Sequence, residues 1–152
     1  VFLQLEMRFL FAILILAILP LSTARADLLD DAVLAHRAGI PEVSITKIRK
    51  FLASNPAPDR VDAANILLAR CLIETQKGKE ASEVLDHASG PEAEFLRAQE
   101  ALRSRQWNDA ASRFALLLKV GGPFLVESRL GWASAQKALG QSEAALATLQ
   151  PL

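Results

Sequence analysis

Glu94-Phe95-Leu96-Arg97-Ala98-Gln99 and, a short turn later, Gln106-Trp107-Asn108-Asp109-Ala110 decide the fold of this chain. Both stretches are made of good helix formers, and neither alternates apolar and polar residues as a half-buried strand does. Two helices joined by so short a turn must lie side by side and antiparallel. Ala98 and Ala110, 12 residues apart, are the small side chains at which such helices approach closely. Phe114 follows Ala110 by four residues and Leu117 by three more, so all three share one helical face.

The same offset returns along the chain. Ala32 and Ser44, Ala69 and Ala81, and Ala133 and Ala145 are also 12 residues apart. Four residues after the second small residue come Ile48, Leu85 and Leu149, and three further on come Phe51, Ala88 and Leu152. Breakers at Gly39-Ile40-Pro41, Asn55-Pro56-Ala57-Pro58, Gly78, Ser89-Gly90-Pro91, Gly121-Gly122-Pro123 and Gly140 divide the chain into eight segments. Helices are therefore predicted over 28–38, 41–54, 59–76, 79–88, 92–105, 108–120, 124–139 and 141–152, arranged as about four antiparallel pairs in an all-α fold. Pro41-Glu42, Asp59, Pro91-Glu92 and Asn108-Asp109 are the expected start signals, Asn108 and Asp109 as acceptors for first-turn amides.

These residues resemble the tetratricopeptide repeat (TPR) family, whose helix-turn-helix unit of about 34 residues carries small side chains at two packing positions. The resemblance covers 28–152. Trp107 matches the family's aromatic at the turn, and Pro56 the proline that closes a unit. The repeat is degenerate: Ser44, Ala81, Ala110 and Ala145 are separated by 37, 29 and 35 residues, and most of the family's first-helix tryptophans and tyrosines are missing. The resemblance implies a right-handed superhelical solenoid, each pair burying its apolar face on the next. Another solenoid of helical pairs is the competing architecture.

A finished array ends in a polar cap. Here the final predicted helix presents Leu146, Leu149 and Leu152 in one stripe. The expectation is that the chain continues in a longer protein, or that a partner or a second copy covers those leucines.

Met7-Arg8, the apolar run Phe9–Leu21 and the small residues of Ala24-Arg25-Ala26 form a signal-peptide profile with cleavage after Ala26. Met7 is the better start, and Val1–Glu6 are dispensable to this reading. An apolar core of about 13 residues is short for a membrane-spanning helix. Residues 27–152 are then one exported domain, periplasmic or secreted; an uncleaved leader anchoring the chain to the inner membrane is the alternative. Lys plus Arg and Asp plus Glu balance at 17 each, and loss of Arg8, Arg25 and Glu6 with the leader leaves a net charge of about −1. No nucleic-acid partner is indicated. The single cysteine, Cys71, has no partner for an internal disulfide, and its leucine-rich surroundings mark it as core.

Reactive constellations are absent from the sequence. His36 and His87 fall in different repeats without a second ligand at helical spacing, so no metal site is expected. Asp30 and Asp31 are adjacent and point apart on a helix; first-turn charge accounts for them. Gly121-Gly122-Pro123 lacks the following Lys-Ser or Lys-Thr of a phosphate loop and reads as a turn between repeats. There is no G-x-S-x-G. The expectation is a binding protein that is not an enzyme and uses no cofactor.

In the TPR family the first helix of each unit lines a concave face that receives a peptide. Carried onto this sequence, the resemblance places Arg37, Arg70, Gln99, Arg103 and Lys137 on that face, with Ile73 and Leu102 among them and Leu29, Ile66, Phe95 and Leu130 one turn earlier. Such a groove suits an apolar peptide with acidic groups. The family's lysine and asparagine clamp for a C-terminal carboxylate is not found at these positions. The implied role is a scaffold of the bacterial cell envelope that binds protein or peptide; the alternative is the N-terminal scaffold of a larger exported enzyme, for example one acting on cell-wall polymer. Trp107 and Trp132 are expected to pack between helices.

Overall fold

The computed structural model describes residues 27–150. The expected leader, its cleavage site and Leu152 lie outside them. Among the described residues there are eight α-helices and no strand: α1 (Leu28–Arg37), α2 (Pro41–Ala53), α3 (Pro58–Glu74), α4 (Gly78–Leu85), α5 (Gly90–Arg103), α6 (Trp107–Val120), α7 (Leu125–Ala138) and α8 (Ser142–Leu149). Each matches one predicted segment to within a few residues, which confirms the all-α class. None is long and apolar enough to cross a membrane.

Helix starts follow proline more than side-chain caps. Pro41 and Pro58 occupy first helical positions of α2 and α3, and Pro91 lies in the first turn of α5, where the missing amide costs nothing. The one side-chain cap among the described helices is Asp27, whose carboxylate accepts from the Leu29 amide at 3.0 Å. Asn108 and Asp109 do not cap α6; Asp109 instead accepts from Arg113 Nε at 2.9 Å. The helix begins one residue earlier than the sequence suggested, so both side chains fall inside its first turn and point outward.

The turn inside each pair is the same turn four times. Seven residues after the first small residue comes a left-handed residue: Gly39 (φ 73°), Gln76 (φ 62°), Arg105 (φ 60°) and Gly140 (φ 78°). The next amide then donates back across the turn, Ile40 to the Ala35 carbonyl, Lys77 to Leu72, Gln106 to Ala101 and Gln141 to Gln136, at 2.8–3.0 Å. This is the Schellman closure of a helix C-terminus. It fixes how the second helix of each pair leaves the first.

Packing follows chain order. Every helix contacts the next, and the odd-numbered helices also touch one another, α1 on α3, α3 on α5 and α5 on α7. No two even-numbered helices meet among the described residues. All eight small residues of the 12-residue offset are buried, because a larger side chain there would hold the paired helices apart. Ile48, Leu85 and Phe114 are fully buried beside them, each worth about 1.5–3 kcal/mol. The core is continuous through α5, which supplies Ala93 and Leu96 to the cluster beneath α1–α4 and Phe95, Ala98 and Ala101 to the cluster shared with α6 and α7.

Each odd helix also closes on the even helix before it through specific contacts. Cys71 of α3 is fully buried beside Ser44 of α2. The Glu100 carboxylate of α5 lies where a β-carbon on Gly78 would stand, 2.0 Å from that position. The Phe114 ring of α6 covers Gly131 of α7, its Cζ 2.4 Å from where a β-carbon would be. Glycine is needed at 131, where the buried ring leaves no room for a side chain, whereas a β-carbon at 78 would meet only the movable end of Glu100.

Candidate functional site

Three of the five residues expected to bind peptide come together. Arg70 on α3 and Gln99 and Arg103 on α5 line one groove of about 400 Å³, with Ile73, Glu74, Phe95, Leu96 and Leu102. The contact between α3 and α5 positions them: side chains one residue past each small packing position, and four past it, project from neighbouring helices onto the same side. Lys137 lies in a separate groove of about 380 Å³ between α7 and α8. Arg37 is exposed at the end of α1 and lines neither.

The groove between α3 and α5 is less open and less cationic than its sequence implies. Ile73 and Phe95 are each only 6% exposed, so they form its floor. Phe95 stacks on Phe124 with ring centroids 4.7 Å apart and meets Phe114 edge-on at 6.2 Å, which fixes the floor in place. Arg70 is paired with Glu92 at the start of α5, and Glu74 pairs with His36 Nε2 at 2.9 Å across α1 and α3. Arg103 is exposed and makes no ion pair among the described residues. An incoming acidic group therefore meets Arg103 directly and competes with Glu92 for Arg70. Leu102 and the floor offer an apolar seat beside them.

Of the acids at this groove, sequence reasoning placed Glu74 on the same face as Arg70 and Ile73 and missed Glu92 as the partner of Arg70. Glu74 stands four residues after Arg70 and on its helical face, so helical spacing alone announces it. Glu92 carries no such signal, because its meeting with Arg70 depends on how α5 lies across α3. Glu100 was also missed; it is buried, accepts from Ser104 Oγ at 2.7 Å and sits at the start of α4, where a carboxylate is favoured by the exposed amides of the helix N-terminus.

The remaining candidates are structural. Cys71 is fully buried and burial pushes its thiol pKa up, opposite to the direction that activates a nucleophile. Trp132 packs against the cluster of Phe95, Phe114 and Leu117, and Trp107 is half-buried at the start of α6. Among the described residues no three His, Cys, Asp or Glu side chains gather at a metal-binding distance. Comparison with known proteins adds no template: no protein-family model, curated protein or solved structure matches the chain.

Proposed function

We propose that the chain is a protein-binding scaffold of the bacterial cell envelope, a TPR-like right-handed superhelix of four helix pairs whose odd-numbered helices line a concave, peptide-binding face. In this reading the leader is removed after Ala26 and the product is periplasmic or secreted. The observation that carries the binding role is the meeting of Arg70, Gln99 and Arg103 over the apolar floor of Ile73, Phe95 and Leu102, in the layer where α3 touches α5. Its preferred ligand is a short segment pairing an apolar side chain with an acidic one, the apolar group over Leu102 and the carboxylate at Arg103. Exposed charge pairs contribute about 0.2–1 kcal/mol each, so the apolar contact supplies most of the affinity.

The test is selection from a displayed random-peptide library on the full chain, followed by fluorescence anisotropy with the enriched sequences. Peptides with a large apolar residue close to Asp or Glu are expected, and Arg103→Ala should weaken them several-fold. Enrichment of sequences without acids, or binding indifferent to both Arg103→Ala and Gln99→Ala, would overturn the assignment.

A further inference from the structure

Among the described residues Glu100 is the only charged one that is buried, with 8% of its surface exposed. Taking a carboxylate out of water is costly unless a cation or several donors receive it. Ser104 Oγ, 2.7 Å from Oε1, is the one donor hydrogen-bonded to it among the described residues. No lysine or arginine there pairs with it, and the first-turn amides of α4 lie close without donating to it. The fold does not ask for this charge. Glu100 stands two residues past Ala98, and on α3 and α7 the same place is held by Cys71 and Ala135, both fully buried. The start of α4 differs as well: Gly78 is three residues before Ala81, where α2 has Pro41 and α6 has Trp107. Two junctions between pairs are closed by uncharged groups at the place where the third holds an acid beside a glycine.

The carboxylate is not sealed in. It lines a second groove, of about 460 Å³, with Gln76, Gly78, Lys79, Arg103 and Ser104. Arg103 also lines the groove between α3 and α5, so the two grooves meet at this one side chain. A peptide whose acid reaches Arg103 has Glu100 within reach of its neighbouring residues. Gln76 and Ser104 supply two further acceptor oxygens, and an ammonium has three donors to share among them. Lys79 is exposed, and its long stem keeps its own ammonium in water at the rim.

We propose that this second groove is a subsite for an ammonium group of the bound peptide, either a lysine side chain or a free N-terminal amine. The ammonium donates to Glu100, with Gln76 and Ser104 as its other acceptors, while the adjacent acid of the peptide engages Arg103. The proposal rests on the peptide-binding reading above and adds a base, close to the acid, to what the ligand must carry.

Two sets of peptides, titrated against the full chain by isothermal calorimetry, test it. In the first, acetylated and amidated peptides join Leu and Asp through a short glycine spacer to Lys, in both chain orders, beside the same peptides with norleucine for Lys. In the second, peptides with Leu and Asp but no Lys carry a free or an acetylated N-terminus. The ammonium is expected to tighten binding about tenfold in at least one set, and the set that responds identifies its source. Lys and norleucine peptides should bind equally to Glu100→Gln, which keeps the shape of the side chain; circular dichroism establishes that this variant is folded. Carbodiimide coupling in the parent chain reads the contact without any substitution: the peptide amine should be joined to Glu100, as located by mass spectrometry. No gain from an ammonium in either set overturns the subsite. It leaves the peptide-binding reading standing if the norleucine peptides still bind and weaken on Arg103→Ala. No binding of any peptide by about 1 mM overturns both. A gain that persists in Glu100→Gln, coupling to exposed acids only, or tighter binding with Glu in place of Lys overturns the subsite as well, the last by assigning the groove to Lys79 and Arg103.

Discussion

Ser44 Oγ donates a hydrogen bond of 2.9 Å to the main-chain carbonyl of Ala32 at the crossing of α1 and α2. The two residues are 12 apart, the offset at which the other three pairs place alanine on alanine. Serine is tolerated at this fully buried position because its hydroxyl has a partner.

Ser44→Ala should cost about 0.5–1.5 kcal/mol, since one net hydrogen bond is lost and no donor is orphaned. Ser44→Leu should cost more, about 1–3 kcal/mol or beyond, because it forces α1 and α2 apart. Urea denaturation of both variants checks the order; equal losses would mean that closeness at the crossing is unimportant.

Gly131 and Phe114 should be energetically coupled. An added β-carbon meets the buried ring, so Gly131→Ala is expected to destabilise by about 1–3 kcal/mol, although alanine is the better helix former by about 1 kcal/mol. Phe114→Leu in the same chain should recover part of that loss. A double-mutant cycle reads the coupling directly, and additive losses would contradict the contact.

The four equivalent turns allow a prediction with opposite signs. Gln76 and Arg105 occupy left-handed backbone that Gly39 and Gly140 adopt without strain. Gln76→Gly or Arg105→Gly should therefore stabilise, by about 1 kcal/mol or less after the added chain entropy is subtracted. Gly140→Ala should destabilise by about 1–2 kcal/mol. Thermal unfolding midpoints of the three variants should bracket the parent.

Asp27 gives the fold an acid-sensitive end. Its carboxyl is held below the usual carboxylate range, first by the hydrogen bond from Arg60 and then by the Leu29 amide. A lowered folded-state pKa means that the stabilisation is complete above the unfolded value of about 3.9 and is lost as pH falls through the folded one. Asp27→Asn keeps the cap and removes the ion pair. The parent should exceed this variant in melting temperature from pH 7 to about 4, and the two curves should converge on further acidification. A gap unchanged at the lowest pH would rule out the ion pair as its source.

The Cys71 thiol should be silent in the native state. It is fully buried and its pKa is raised by desolvation, so little thiolate is present and none is accessible. Labelling by a disulfide reagent at pH 8 should follow the unfolding rate. Fast stoichiometric labelling without denaturant would contradict the packing of α3 against α2.

The eight helices and the crossing points were determined by the sequence itself, because both are local matters. Proline and glycine punctuate the backbone within a few residues of where they stand, and a small side chain returning after 12 residues says where two antiparallel helices touch, whatever lies around them. The pairing of Arg70 with Glu92, the sinking of Ile73 and Phe95 into the groove floor, and the separation of Lys137 from Arg103 were decided only by the tertiary structure. Each depends on how one pair settles against the next, across 22 residues in the case of Arg70 and Glu92, and repeat spacings of 37, 29 and 35 residues are too irregular to carry that geometry. The sequence therefore determined which residues share a helical face, and packing between pairs decided which of them water and a ligand can reach.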